Sequence, residues 1–207
     1  LYPCRANYLG GDIISGMIAT GIPDRSGISV FLDIGTNGEL VVGSRDFLLA
    51  GAGAAGPALE GGVVKTGMRA VEGAVSYVKL IDGKFNLTVI GGGAPKGLCG
   101  SGIVDLIAQL FLNGKLDFMG RFVPESGGLV RENGQWGVEY APGLTFWQSD
   151  VDAFLRTKAA ANTMVEYMLE SVGLPLSEVE RFYVAGAFGT YLDKESAVTI
   201  GLYPDLP

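Results

Sequence analysis

Apolar residues recur along this chain in two rhythms, one helical and one extended. Ile13, Ile14, Met17 and Ile18 fall at helical spacing behind Gly10-Gly11-Asp12, and Gly21 supplies a stop, which predicts a helix over 11–20. The β-branched and aromatic run 27–33 predicts a buried strand. It feeds Gly35-Thr36-Asn37-Gly38, where Asn-Gly signals a hairpin, so 39–43 is the returning strand and 46–50 a third. A small-residue stretch over 50–62 reads as a loop that enters a short helix at Pro57. Segments 75–80 and 84–90 flank Asp82-Gly83 as a second hairpin.

Gly91-Gly92-Gly93 follows as a loop, and Gly100-Ser101-Gly102 opens a helix to about Leu112. Residues 114–145 carry no clear period and read as an excursion with short strands. The longest predicted helix covers 149–171, with Ser149 as its N-cap and Val151, Phe154, Leu155, Val165, Met168 and Leu169 on its apolar side. A turn over 172–180 leads to a strand at 181–185 and the glycine turn Gly186-Ala187-Phe188-Gly189, with no closing element expected before Pro207. This order predicts an α/β domain: a mixed sheet with helices packed on it. In open sheets of that kind, ligands sit where strands deliver such turns.

Composition narrows the chemistry. Glycine supplies 33 of 207 residues, about twice its usual share of about 7%, without a repeat period. Apolar residues at 48% exclude intrinsic disorder. The net charge of −7 leaves no basic footprint for nucleic acid, and no Lys/Arg run suits a membrane surface. No stretch is long and apolar enough to span a bilayer. The absence of histidine removes Ser–His and Cys–His catalysis and imidazole metal ligation. Cys4 and Cys99 lie far apart, and the simpler reading is a free thiol at the first, a packing residue at the second and a reducing, cytoplasmic setting, with a disulfide between them as the alternative. The chain begins on Leu1, and the expectation is a piece of a longer protein.

Four features can carry chemistry. Asp33 leaves a buried strand directly into a turn rich in NH groups, Gly35 to Gly38, which can hold phosphate oxygens while the carboxylate holds a Mg²⁺ shell. A plain hairpin with a solvated aspartate fits the same residues. Asp12 opens the first helix, where a capping role is the simple reading. The turns Gly186-Ala187-Phe188-Gly189 and Ala54-Ala55-Gly56-Pro57 admit close ligand approach, or serve helix–sheet packing alone. Lys65, Arg69 and Lys96 could face phosphates or be solvated surface charge.

Taken together, the helix from Asp12 to Gly21, the Asp33-Ile34-Gly35-Thr36-Asn37-Gly38 strand and turn, and Tyr183 to Gly189 resemble the superfamily of actin, hexokinase and heat-shock chaperone ATPases. More closely, DIGTNGE, AAGPALEGG, GMRA, GLCGSGIVDLIA and AGAFGTYLD, in that order, resemble the C-terminal domain of reductive activators of corrinoid proteins, over about Tyr8 to Pro204. The resemblance implies an RNase H-like, actin-like ATPase fold, a fragment of a two-lobed architecture. Residues 1–26 would be a connecting helix segment from a preceding lobe, and 27–207 a second lobe without its final connecting helix.

The implied activity is ATP-driven electron transfer that returns Co(II) corrinoid in a methyl-transfer protein to Co(I). The implied cofactors are ATP and Mg²⁺, with an iron–sulfur cluster only outside this chain. The implied site comprises Asp12 and Asp33 as catalytic residues, Asp33 as the metal ligand, and Gly35, Thr36, Asn37, Gly38, Gly56, Glu60, Gly186, Ala187, Phe188 and Gly189 as nucleotide contacts. The corrinoid protein is the implied partner, and a homodimer stays open. The resemblance also implies that this chain holds about half an ATP site and hydrolyses ATP at background rate by itself. Three other readings compete. An activator of 2-hydroxyacyl-CoA dehydratases would need a cluster-binding cysteine where this chain has Gly53. A non-catalytic docking module would show no nucleotide affinity. A small-molecule kinase would need a substrate loop that no segment resembles.

Overall fold

The two rhythms resolve into four α-helices and ten β-strands among the described residues of a computed structural model, which are 10–34, 38–53, 62–186 and 191–206. Helix α1 (Gly11–Thr20) leads into β1 (Ile28–Ile34), β2 (Gly38–Gly43) and β3 (Leu48–Gly53). Strands β4 (Ala74–Ile81), β5 (Lys84–Val89) and β6 (Gly97–Leu98) precede α2 (Gly100–Leu112). Strands β7 (Val130–Glu132), β8 (Gln135–Ala141) and β9 (Leu144–Trp147) run into α3 (Gln148–Ser171), and β10 (Val179–Ala185) and α4 (Lys194–Thr199) follow. The expected short helix at Pro57, and Cys4, lie outside the described residues. No described helix is long and apolar enough to cross a membrane.

The chain forms two compact units. The first takes in the described parts of 1–56, 158–190 and 204–207, and the second those of 57–157 and 191–203. In the first unit the sheet order is β10-β1-β2-β3, with β1 parallel to β10 and antiparallel to β2, so the sheet is mixed as expected. Alternation along β1 sorts its side chains onto two faces. Phe31 pairs across to Val41 and Tyr183, and these pack with Ile13, Met17 and Ile22 under α1. The opposite face carries Leu32, Ile34, Gly38, Gly51 and Gly53, and the second half of α3 covers it. There a Cβ on Gly51 would come 3.0 Å from the Met168 sulfur, and one on Gly53 would come 2.9 Å from the Met164 sulfur.

In the second unit β4 is flanked by β5 and, over its first two residues, by the short β6. Beyond β6 a polar stripe of α2 serves the β4 backbone. Ser101 Oγ donates to the Ser76 carbonyl at 2.8 Å, Asp105 Oδ2 accepts from Val78 N at 3.2 Å, and Gln109 Oε1 accepts from Leu80 N at 3.0 Å. Positions 101, 105 and 109 are four apart and so share one helix face, and they satisfy strand groups that no neighbouring strand reaches. Strands β7, β8 and β9 form an antiparallel meander.

Four local expectations need correction. The long helix begins at Gln148, so Ser149 is not its N-cap; Asp150 Oδ2 instead reaches back to the Trp147 amide at 2.8 Å. The third strand is displaced to Leu48–Gly53, and β10 starts two residues early, at Val179. A further short helix does lie before Pro207: α4, capped by Asp193 Oδ1 accepting from Ser196 N at 2.8 Å. Cys99 is buried and carries no disulfide, and its Sγ donates to the Val75 carbonyl at 3.3 Å, consistent with a packing role.

Candidate functional site: acidic residues at the strand ends

The carboxyl ends of the parallel neighbours β1 and β10 deliver Asp33 and Gly186 side by side, since Asp33 pairs with Ala185. A Cβ on Gly186 would stand 2.8 Å from Asp33 Oδ1 and 2.9 Å from the Ile34 carbonyl, and its φ of +91° also favours glycine. A side chain at position 186 would therefore crowd the Asp33 oxygen. Strand alternation places Asp33 on the α1 face, and Glu39, its antiparallel partner on β2, shares that face. Asp12 lies in the first turn of α1, exposed, with Oδ1 accepting from Ile13 N at 2.9 Å.

The charge of Asp12 acts on the other two carboxylates. Burial, and then the charge of Asp12, push the Asp33 carboxyl above its ordinary value. Glu39 is raised by burial first and by Asp33 and Asp12 after it, with a backbone hydrogen bond offsetting part. Neither ion pair among the described residues, Arg45–Asp46 or Arg121–Asp152, touches this trio. Neither of those cations therefore offsets the charge of the cluster. Among the described residues no three carboxylates or thiols have the arrangement of a complete metal cage.

Asp12, Asp33, Gly38 and Gly186 thus belong to the first unit, with Asp12 and Asp33 on one face of its sheet. Gly35, Thr36, Asn37, Gly56, Glu60, Ala187, Phe188 and Gly189 lie outside the described residues. Lys65, Arg69 and Lys96 belong to the second unit. The Lys65 amide donates to Asp150 Oδ1 at 2.8 Å and its ammonium stands 5.6 Å from the centre of the Trp147 ring, so packing accounts for it. Sequence reasoning gave Glu39 no role; its odd-numbered place opposite Asp33 in a two-stranded hairpin was the available signal.

A mixed sheet in this strand order, with helices on both faces and an aspartate at the end of its central parallel strand, defines an actin-like ATPase domain. The chain belongs to the family of the C-terminal domain of RACo, the ASKHA domain, whose model matches residues 27–207. It is 34% identical over 99% of its length to the "Corrinoid activation enzyme RamQ" of Eubacterium limosum, and it covers 37% of that protein. It is 23% identical to the "[Co(II) methylated amine-specific corrinoid protein] reductase" of Methanosarcina barkeri, covering 39% of it. A solved "Reductive activator for corrinoid,iron-sulfur protein" superposes with a TM-score of 0.87 at 38% identity, over 99% of this chain and 35% of that one. The chain therefore spans little more than a third of the relatives it matches. Membership of an ATPase domain family implies nucleotide binding.

Proposed function

We propose that this chain is the ATP-binding part of an ATP-dependent reductive activator, which returns Co(II) corrinoid in a cytoplasmic methyl-transfer protein to Co(I). In this reading residues 1–26 are a connecting helix segment and 27–207 form the second ATPase lobe. The observation that carries the reading is the meeting of Asp33 with Gly186 at the carboxyl ends of β1 and β10, on the face that Asp12 also serves. Asp33 would hold Mg²⁺, which neutralises phosphate charge when bound. Asp12, exposed and with one oxygen engaged by the Ile13 amide, would use its other oxygen to orient the attacking water and accept its proton. The turns at 35–38 and 186–189 would supply backbone NH groups to phosphate and nucleoside. One electron per cobalt would come from an iron–sulfur centre outside this chain.

Gly53 argues against a dehydratase-type activator. It offers no thiolate for a cluster, and the Met164 sulfur already occupies the neighbouring space. A docking module without nucleotide affinity would have no use for a half-buried Asp33 kept clear of a side chain at position 186. The test is Asp33→Asn in the intact natural polypeptide, followed by the cobalt(I) absorption of its corrinoid protein. The Mg-ATP-dependent reduction is expected to be lost while the circular dichroism spectrum stays native. Reduction at the normal rate would overturn the reading.

A further inference from the structure

Gly16 lies in the middle of α1, where glycine is the worst tolerated residue after proline. Its place has a steric reason. A Cβ there would sit 2.2 Å from Cζ of Phe31 and 2.8 and 2.9 Å from the two Cε atoms, so the tip of the ring points straight at the helix backbone. Phe31 is 2% exposed and held between Val41 and Tyr183, so the ring has nowhere to turn. The far end of α1 is fixed as well. Gly21, at φ +69°, closes it by donating to Met17 and Ile18 carbonyls, and Ile22 beyond is wholly buried in the same cluster.

The spacing turns this packing contact into a ruler. Asp12 precedes Gly16 by four residues on the same helix face, a step of about 6 Å. Asp33 follows Phe31 by two residues on the same strand face, a step of about 6.7 Å. The connection over 21–27 turns the chain back so that β1 runs against the direction of α1, which packs on it; the two steps then agree to within about an ångström, and seating Gly16 on the tip of Phe31 brings Asp12 level with Asp33.

We propose that Gly16 and Phe31 are positioning residues of the nucleotide site, their backbone-to-ring contact setting the height and register at which Asp12 faces Asp33. The proposal rests on the reading of Asp12 and Asp33 given above. A methyl group at position 16 requires carbon–carbon separations of about 3.5 Å or more, and α1 must rise by about an ångström to reach them. A displacement of that size costs about 10²-fold in rate when it separates reacting groups. Nucleotide affinity should barely move, because α1 supplies no nucleotide-binding group.

The test compares Gly16→Ala, Phe31→Leu and the double variant in the intact polypeptide by urea unfolding, calorimetry with Mg-ATP, and ATP turnover. Gly16→Ala is expected to lower kcat by about 10²-fold while the dissociation constant for Mg-ATP stays within about threefold. Phe31→Leu removes the ring tip, so the double variant should recover both kcat and urea midpoint relative to Gly16→Ala. Native kcat in folded Gly16→Ala, or a double variant with restored urea midpoint and unrestored kcat, overturns the proposal. Should Gly16→Ala fail to fold, the double variant is compared with Phe31→Leu alone, and a lower kcat in the double variant overturns it. Asp33→Asn serves as the separate check: normal turnover there removes the reading of the site itself, whatever the Gly16 series shows.

Discussion

Replacing Asp105 by asparagine should remove a pH dependence of stability that can be worked out from the structure. Asp105 is the sixth residue of α2 and 1% exposed. Its Oδ2 accepts from Val78 N at 3.2 Å, while Oδ1 has no partner at hydrogen-bond distance among the described residues. Burial pushes its carboxyl from 3.8 up to about 6, with Asp193 adding to the rise and the Ser196 hydroxyl and Val78 amide opposing it. A rise of about two units corresponds to roughly 3 kcal/mol. The sign follows from proton counting. Between about pH 4 and pH 6 the folded chain keeps a proton on Asp105 that the unfolded chain has released, so stability falls as pH rises through this window. Above about pH 6 both states are ionised and the penalty for the buried charge is fully present.

Asparagine keeps the acceptor for Val78 N and places an NH₂ group where Oδ1 was, with no charge to bury. Urea unfolding from about pH 4 to pH 8 should therefore show Asp105→Asn close to the parent at the acid end and more stable by about 1–3 kcal/mol at the alkaline end. Asp33, Glu39 and Asp150 are also raised and slope the same way, so the difference between the two curves, and not either alone, isolates Asp105. Parallel curves across pH 4–6 would refute the reasoning, because the carboxyl would then titrate alike in both states.

Three further outcomes are expected. Gly102→Ala should destabilise by about 1–3 kcal/mol in urea, despite a helix-propensity gain of about 1 kcal/mol, as the new Cβ would lie 2.2 Å from the Val75 carbonyl, which Cys99 N and Sγ already hold in place. Asp150→Ala should cost about 2–5 kcal/mol by releasing the Lys65 and Trp147 amides, with Asp150→Asn intermediate because one amide oxygen replaces two carboxylate oxygens. Asp12→Ala in the intact polypeptide should cut ATP hydrolysis by about 10²–10⁴-fold with little change in affinity; a loss of thermal stability with full turnover would leave Asp12 as a helix cap only.

Local chemistry made much of this fold legible. Gly21 ends α1 where the periodicity stops because a left-handed residue closes a helix without outside help. The β1–β2 hairpin and the β4–β5 hairpin follow from turn residues lying between alternating runs, again over a few positions. The aspartate at the end of β1 was visible for the same reason. What stayed hidden depends on partners distant in sequence. Within Gln148-Ser149-Asp150 both Ser149 and Asp150 can cap a helix, and only the approach of the Lys65 amide, 85 positions away, draws Asp150 inward. Helix α4 spans six residues, too few for a period to show. The pairing of β1 with β10, which brings Gly186 to Asp33, closes a loop of about 150 residues that no local signal encodes. By propensity alone, a glycine in the middle of α1 is a weak point of the helix. Only the position of Phe31 beneath it shows that the missing side chain is what lets the helix approach the sheet, because a close approach is a property of two surfaces and the sequence presents them one at a time.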